Sequence, residues 1–165
     1  MPVPTANSQT FSVTTAGDTD IVITRLFAAP RALVYECLTN PEHIRRWWGN
    51  LGDGYSVPVC EMDARPGGKW RFVNRHADGD AAFYGEVLEM DPPTRLVHTE
   101  IFEPFPDAVS VITTTLTEEQ GQTRFTAVCR YPSSDVRSMV LGSGMEYGAA
   151  QSYDALEALA LSLQS

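Results

Sequence analysis

The chain has 165 residues, with 21 acidic against 12 basic side chains and a formal net charge of -9, a size that suits one domain with its own apolar core. Hydrophobic residues make up 43% and charged residues 20%, which separates the sequence from disordered and membrane-spanning chains. The acidic balance repels phosphate backbones and anionic headgroups, so neither nucleic acid nor a membrane is an expected partner.

Residues 1–9 are polar and proline-containing and read as a flexible N-terminal tail, leaving 10–165 as a single domain. They lack the charged start and apolar run of an export signal. The alternating stretch from Thr10 to Phe27 is interrupted at Gly17-Asp18, a turn signal with strand on both sides. Pro30 then opens a short helix whose Leu33, Val34, Cys37 and Leu38 share one face. A second short helix starts with Asn40 as its N-cap, Pro41 in the first turn and Glu42 suited to the helix dipole. Its Ile44, Trp47 and Trp48 fall at i, i+3 and i+4, so they share a face, and Gly49 stops it. Adjacent tryptophans at a helix end either seal a core or cap something that opens.

From Tyr55 to Tyr131 six strands alternate with turn signals at 65–68, 77–80, 91–94, 103–107 and 118–122. After Pro132, Ser133 or Ser134 caps a long helix that runs to about Leu163, with Met145, Ala149, Ser152, Leu156, Leu159 and Leu163 along one stripe. That helix is the element long enough to cover the apolar face of a curled antiparallel sheet. Gly142, Gly144 and Gly148 weaken it by about 2–3 kcal/mol relative to alanines. Such a cost points to a kink, to close approach of the sheet, or to a space left between sheet and helix.

Hairpin arithmetic assigns faces. A two-residue turn at Asp78-Gly79 sets Trp70 opposite Val87, Phe72 opposite Gly85 and Asn74 opposite Phe83. A turn at Pro92-Pro93 sets Val87 opposite His98, which puts His98 and Glu100 on the face of Trp70. A bulged loop at Pro66-Gly67-Gly68 adds Ala64, Met62 and Cys60, an apolar set preferred to the Arg65, Asp63 and Glu61 that a two-residue loop would bring. A Gln120-Gly121 turn brings Phe125, Ala127 and Cys129 beside Leu116, Thr114 and Ile112. Two ionisable groups on so apolar a face suit acid–base work or recognition of a polar ligand group. The alternative register turns Val97, Thr99 and Ile101 inward and leaves the pair at water.

Other chemistry is not indicated. Leu141 and Met145 stand where a nucleophile elbow around Ser143 needs glycines. Residues 65–70 lack the spacing of a phosphate-binding loop, and Tyr147 occupies a glycine position of the dinucleotide fingerprint. His43, His76 and His98 have no ligand spacing with Cys37, Cys60 and Cys129, so neither a metal nor another cofactor is expected. Widely separated, odd-numbered cysteines fit a reducing cytoplasm rather than a disulfide framework.

The order of elements, with "TRLFAAPRALVYECLTNPEHIRRWWG" (24–49), "CEMDARPGGKWRF" (60–72), "GEVLEMDPPTRLVHTE" (85–100), "GQTRFTAVCRYPS" (121–133) and "GMEYG" (144–148), resembles the START and birch-pollen-allergen superfamily, SRPBCC. Within it the chain is most similar to the branch of the C-terminal domain of activators of the ninety-kilodalton heat-shock protein ATPase. The resemblance implies an α+β helix-grip fold, in which a curved antiparallel sheet wraps around a long C-terminal helix and two short helices follow the first strand. It also implies a hydrophobic cavity between sheet and helix, with Trp47 and Trp48 near its mouth and Met145 facing in. The leading expectation is a small, mostly hydrophobic ligand, lipid- or polyketide-like, held by Trp47, Trp48, Met62, Trp70, Phe72, Phe83, Val87 and Met145, with His98 and Glu100 at its polar end. One alternative is a cavity hydrolase or cyclase using His98 and Glu100. Another is a chaperone-ATPase activator-like interaction domain, although the separate N-terminal domain of the eukaryotic activators is missing. Monomer and homodimer are both compatible with this reading.

Overall fold

The computed structural model describes residues 10–49 and 52–164, so the expected tail at 1–9 lies outside the described residues. Strands β1 (Phe11–Ala16) and β2 (Asp20–Phe27) flank the Gly17 turn, and α1 (Arg31–Thr39) and α2 (Pro41–Trp47) follow. A meander of β3 (Ser56–Met62), β4 (Lys69–His76), β5 (Gly79–Asp91), β6 (Arg95–Phe102), β7 (Ser110–Glu119) and β8 (Gln122–Arg130) leads to α3 (Ser134–Leu141) and α4 (Met145–Ser162). The described strands form one antiparallel sheet of order β1-β2-β8-β7-β6-β5-β4-β3, because β2 pairs with the last strand of the meander. The sheet curls around α4 in the helix-grip arrangement. Among the described residues, no helix is long and apolar enough to cross a membrane.

Local chemistry explains the helix starts. The Asn40 side chain accepts from the Glu42 N–H at 3.0 Å, and the Ser133 hydroxyl accepts from the Val136 N–H at 3.1 Å, each satisfying a donor that a helix start leaves free. Two expectations about helix ends are corrected. The C-terminal helix is not continuous: Gly142 caps α3, and Gly144, at φ +85°, takes the left-handed conformation from which α4 starts. Trp48 does not share the helical face of Ile44 and Trp47, because it is the C-cap of α2 with an extended backbone, and Gly49 follows at φ +68°.

The β4–β5 hairpin is also corrected. Its turn lies at Ala77-Asp78, so Trp70 pairs with Gly85, Phe72 with Phe83 and Asn74 with Ala81. This slip of two residues leaves every side chain on its expected face, since strand side chains repeat every second residue. Trp70 thus lies over the glycine. A Cβ at Gly85 would overlap the Thr99 carbonyl oxygen and come within 2.8 Å of Trp70 Nε1, the atom that donates to that same carbonyl at 3.0 Å. The β7–β8 hairpin pairs as expected, with Leu116 opposite Phe125. The β5–β6 hairpin keeps Val87 opposite His98, but a register shift between Val87 and Glu89 pairs Asp91 with Arg95 and leaves three residues in the turn instead of two. In β3–β4, Met62 and Cys60 keep their expected face opposite Trp70 and Phe72.

Along β2, Ile21, Ile23 and Phe27 are buried, and so is Arg25, at 1% exposure. Its guanidinium reaches Asp154 and Glu157 of α4, both at 2.9 Å, and lies 4.9 Å from the centre of the Phe27 ring. Glu157 also accepts from the Ala28 N–H at 2.7 Å. Around this anchor Val34, Cys37, Leu156 and Ala160 are completely buried. The three described cysteines, Cys37, Cys60 and Cys129, are free and buried.

Arg25→Ala removes a buried guanidinium and its hydrogen bonds while leaving two carboxylates at a seam that water reaches, Asp154 being 52% and Glu157 23% exposed. Urea unfolding should therefore show a loss of about 2–3 kcal/mol. A loss below about 1 kcal/mol would mean that the seam acts as a hydrated surface pair. Gly85→Ala should cost about 1–3 kcal/mol through overpacking against the Thr99 backbone, and an unchanged midpoint would refute that contact.

Candidate functional site

The stripe that α4 turns toward the sheet changes character along its length. Leu156 and Leu159 are buried in its second half, whereas Met145, Gly148, Ala149 and Ser152 in its first half line a cavity of about 480 Å³. Bulk fills one end of the grip, and small side chains leave the other end open. A Cβ at Gly148 would meet nothing within 4 Å, so that glycine adds to the space without enforcing a close approach.

Trp47, Trp48, Met62, Trp70, Phe72, Phe83, His98, Glu100 and Met145 all line this cavity. Val87 does not. It is fully buried beneath the β3–β4 loop, where its N–H donates to the Gly68 carbonyl and its carbonyl accepts from the Gly67 N–H, both at 2.8 Å. The two adjacent tryptophans divide the work. Trp47 is 6% exposed, donates from Nε1 to the Cys37 carbonyl at 2.8 Å and lies 6.2 Å from the Tyr153 ring, so it forms fixed wall. Trp48 is partly exposed and rests on Phe72, tilted at a ring distance of 5.3 Å, and edge-to-face on Phe83 at 5.6 Å, a cluster of aromatic side chains.

The polar end is built on β6, where residues two apart point to the same side. His98 packs edge-on to Trp70 at 5.6 Å, and its Nδ1 is buried without a hydrogen-bond partner. Burial lowers the His98 imidazole to about 4 and raises the Glu100 carboxyl to about 7. In both cases desolvation penalises the charged form, and no neighbouring charge compensates. Near neutrality the imidazole is therefore uncharged, and the carboxyl is divided between acid and carboxylate. Cys129 and Tyr131 line the same end. Burial pushes the Cys129 thiol up to about 12.

Tyr131, Tyr153, Asn74 and Cys129 belong to the wall but were not among the expected site residues. Asn74 shares the expected face of Trp70 and Phe72, and Tyr153 lies one helical turn beyond Ala149, so face arithmetic was able to find both. Tyr131 follows the end of β8, where strand alternation gives no guidance. Asn74 Nδ2 donates to the Gly49 carbonyl at 2.8 Å, tying the chain after Trp48 to the sheet. Among the described residues, no group of three or more His, Cys, Asp or Glu side chains is placed to hold a metal ion.

The family model described as Activator of Hsp90 ATPase homolog 1-like protein matches residues 28–160. No curated protein matches the chain. A solved protein of Rhodobacter sphaeroides shares the fold at a TM-score of 0.83 and 23% identity, over 93% of this chain and 99% of that one. Protein Ms6760 of Mycobacterium smegmatis is 31% identical at a TM-score of 0.79, over 90% of this chain and 94% of that one. Protein NE0264 of Nitrosomonas europaea is 25% identical at a TM-score of 0.76, over 90% and 98%. Sequence match and shared architecture agree: the chain belongs to the Activator of Hsp90 ATPase homolog 1-like family, a branch of the SRPBCC superfamily.

Proposed function

We propose that the protein binds a small, mostly apolar molecule in the cavity between the sheet and α4. The observation that carries this reading is the 480 Å³ space walled by tryptophan, phenylalanine and methionine, a volume within the range of small-molecule sites. Trp48 is the candidate lid, since its contacts with Phe72 and Phe83 can be exchanged for contacts with a ligand. Three buried free thiols support a reducing, cytoplasmic setting. A chaperone partner is supported by the family description alone.

Native mass spectrometry of the protein purified from its own host should show a defined apolar compound that is released on denaturation. Ala149→Phe projects a ring into the cavity and should abolish that adduct while the chain remains folded. An empty wild-type protein whose tryptophan fluorescence ignores a panel of lipids and polyketides would sink the proposal.

A second reading, catalysis on the same ligand, is favoured by one observation: His98 and Glu100 line the same cavity, the imidazole uncharged near neutral pH as a base and the carboxyl still partly in its acid form. Their state has a consequence for folding. Glu100 holds its proton to about 7 in the folded chain against an ordinary 4.5, so stability falls as pH rises through that interval and levels off above it. His98 is lowered from 6.5 to about 4, so its contribution falls as pH drops through that interval. Glu100→Gln removes the first effect alone. Urea unfolding should find it close to wild type near pH 4.5, and more stable by on the order of 3 kcal/mol at about pH 8.5. Parallel pH profiles for the two proteins would show that Glu100 is hydrated instead.

A further inference from the structure

The charge content of the cavity wall restricts what can enter. Among the described residues no lysine or arginine lines it, and the ionisable ones that do are Glu100 and His98 from β6, Cys129 from β8, Tyr131 just beyond that strand and Tyr153 from α4. The other elements contribute uncharged side chains, among them Asn74 of β4 and Thr114 of β7. Arg25 lies beyond Tyr153, committed to Asp154 and Glu157. The His98 Nδ1 is buried without a partner, and burial governs the charge of both His98 and Glu100. Desolvated polar groups without protein partners need them from whatever fills the space. A carboxylate or phosphate finds no cation here and meets a second carboxyl.

We propose that the cavity selects its ligand by charge, taking a neutral, largely aromatic or alicyclic molecule whose ketone or hydroxyl oxygen hydrogen-bonds Glu100 and His98, and excluding fatty-acid and phospholipid anions. This rests on the ligand-binding reading above. The aromatic body packs against Trp47, Trp48, Trp70 and Phe72, and the oxygen meets the two groups on β6, spaced about 6–7 Å apart along the strand. A ketone oxygen only accepts, so it needs Glu100 in its acid form, and its affinity declines as pH rises past about 7.

Calorimetric titration of the full chain with four probes sharing one apolar body tests this: naphthalene, 2-acetylnaphthalene, 2-naphthoate and 2-naphthylmethylammonium. At about pH 6 the ketone should bind at least about tenfold more tightly than the carboxylate, and its affinity should drop at about pH 8.5. Glu100→Gln keeps an amide donor, so it should retain the ketone, lose that pH dependence and admit the carboxylate more readily. A carboxylate within about threefold of the ketone overturns the proposal. So does an ammonium probe that binds tightest and is lost in Glu100→Gln, which would assign the site to cations. Equal binding of all four probes leaves the ligand cavity standing and removes charge selection. Failure of every probe, naphthalene included, removes both.

Discussion

The buried guanidinium of Arg25 sets the geometry of the grip. It sits on β2 at a position whose strand neighbours on the same face are Ile23 and Phe27, and it is tolerable there because Asp154 and Glu157 meet its two ends from adjacent turns of α4. Once those carboxylates face β2, the rotation and height of the helix are fixed. Leu156, Leu159 and Ala160 then fall into the solid core, and Gly148, Ala149 and Ser152, one to three turns earlier, face open space. The cavity is the other end of a helix clamped where its side chains are large. Tyr153 stands at the junction, with its ring between 5.0 and 6.4 Å from those of Phe11, Phe27, Trp47 and Phe125. Phe27 and Tyr153 therefore belong both to the clamp and to the wall of packed rings that ends at the cavity.

Against that apolar wall, His98 Nδ1 on β6 is buried without a partner, against the rule that desolvated polar groups find one. Other buried groups near the core obey it: Tyr35 donates to the Arg95 carbonyl at 2.9 Å, Thr123 to the Ala29 carbonyl at 2.7 Å and Trp70 to the Thr99 carbonyl at 3.0 Å. His43, Arg95, Arg137 and Gln151 also carry a buried side-chain atom without a partner, but none of the four lines the cavity. Among the described residues, His98 Nδ1 is thus the unsatisfied atom whose residue does, and local stability given up at such a place tends to be functional.

Much of this was legible because it depends on parity and period. Placing His98, Glu100, Trp70 and Phe72 on one face required only that strand side chains alternate, and a hairpin slip of two residues left that result intact. The stripe from Met145 to Leu159 likewise followed from helical spacing. What escaped depends on ends and neighbours. Gly144 at a helix interior and Gly144 at a left-handed joint carry the same cost in sequence, so the break between α3 and α4 was invisible. Trp48 continued the helical spacing of Ile44, but the helix had already ended at Trp47. Val87 has the expected parity, yet the loop between β3 and β4 covers its end of the strand, a tertiary contact that no local pattern encodes.

The cysteines carry a practical consequence. Burial raises Cys37 and Cys60 to about 11 and Cys129 to about 12, so hardly any thiolate is present at neutral pH, and the thiolate is the reactive form. In the folded chain these sulfurs are silent toward alkylating reagents and mild oxidants. A cysteine introduced at an exposed position would be modified against a blank background, with no need to remove the native ones. Modification of the native thiols would then count openings of the structure. Cys37 lies on α1, Cys60 on an outer strand and Cys129 in the cavity wall, so their separate rates would time three parts of the fold in one experiment.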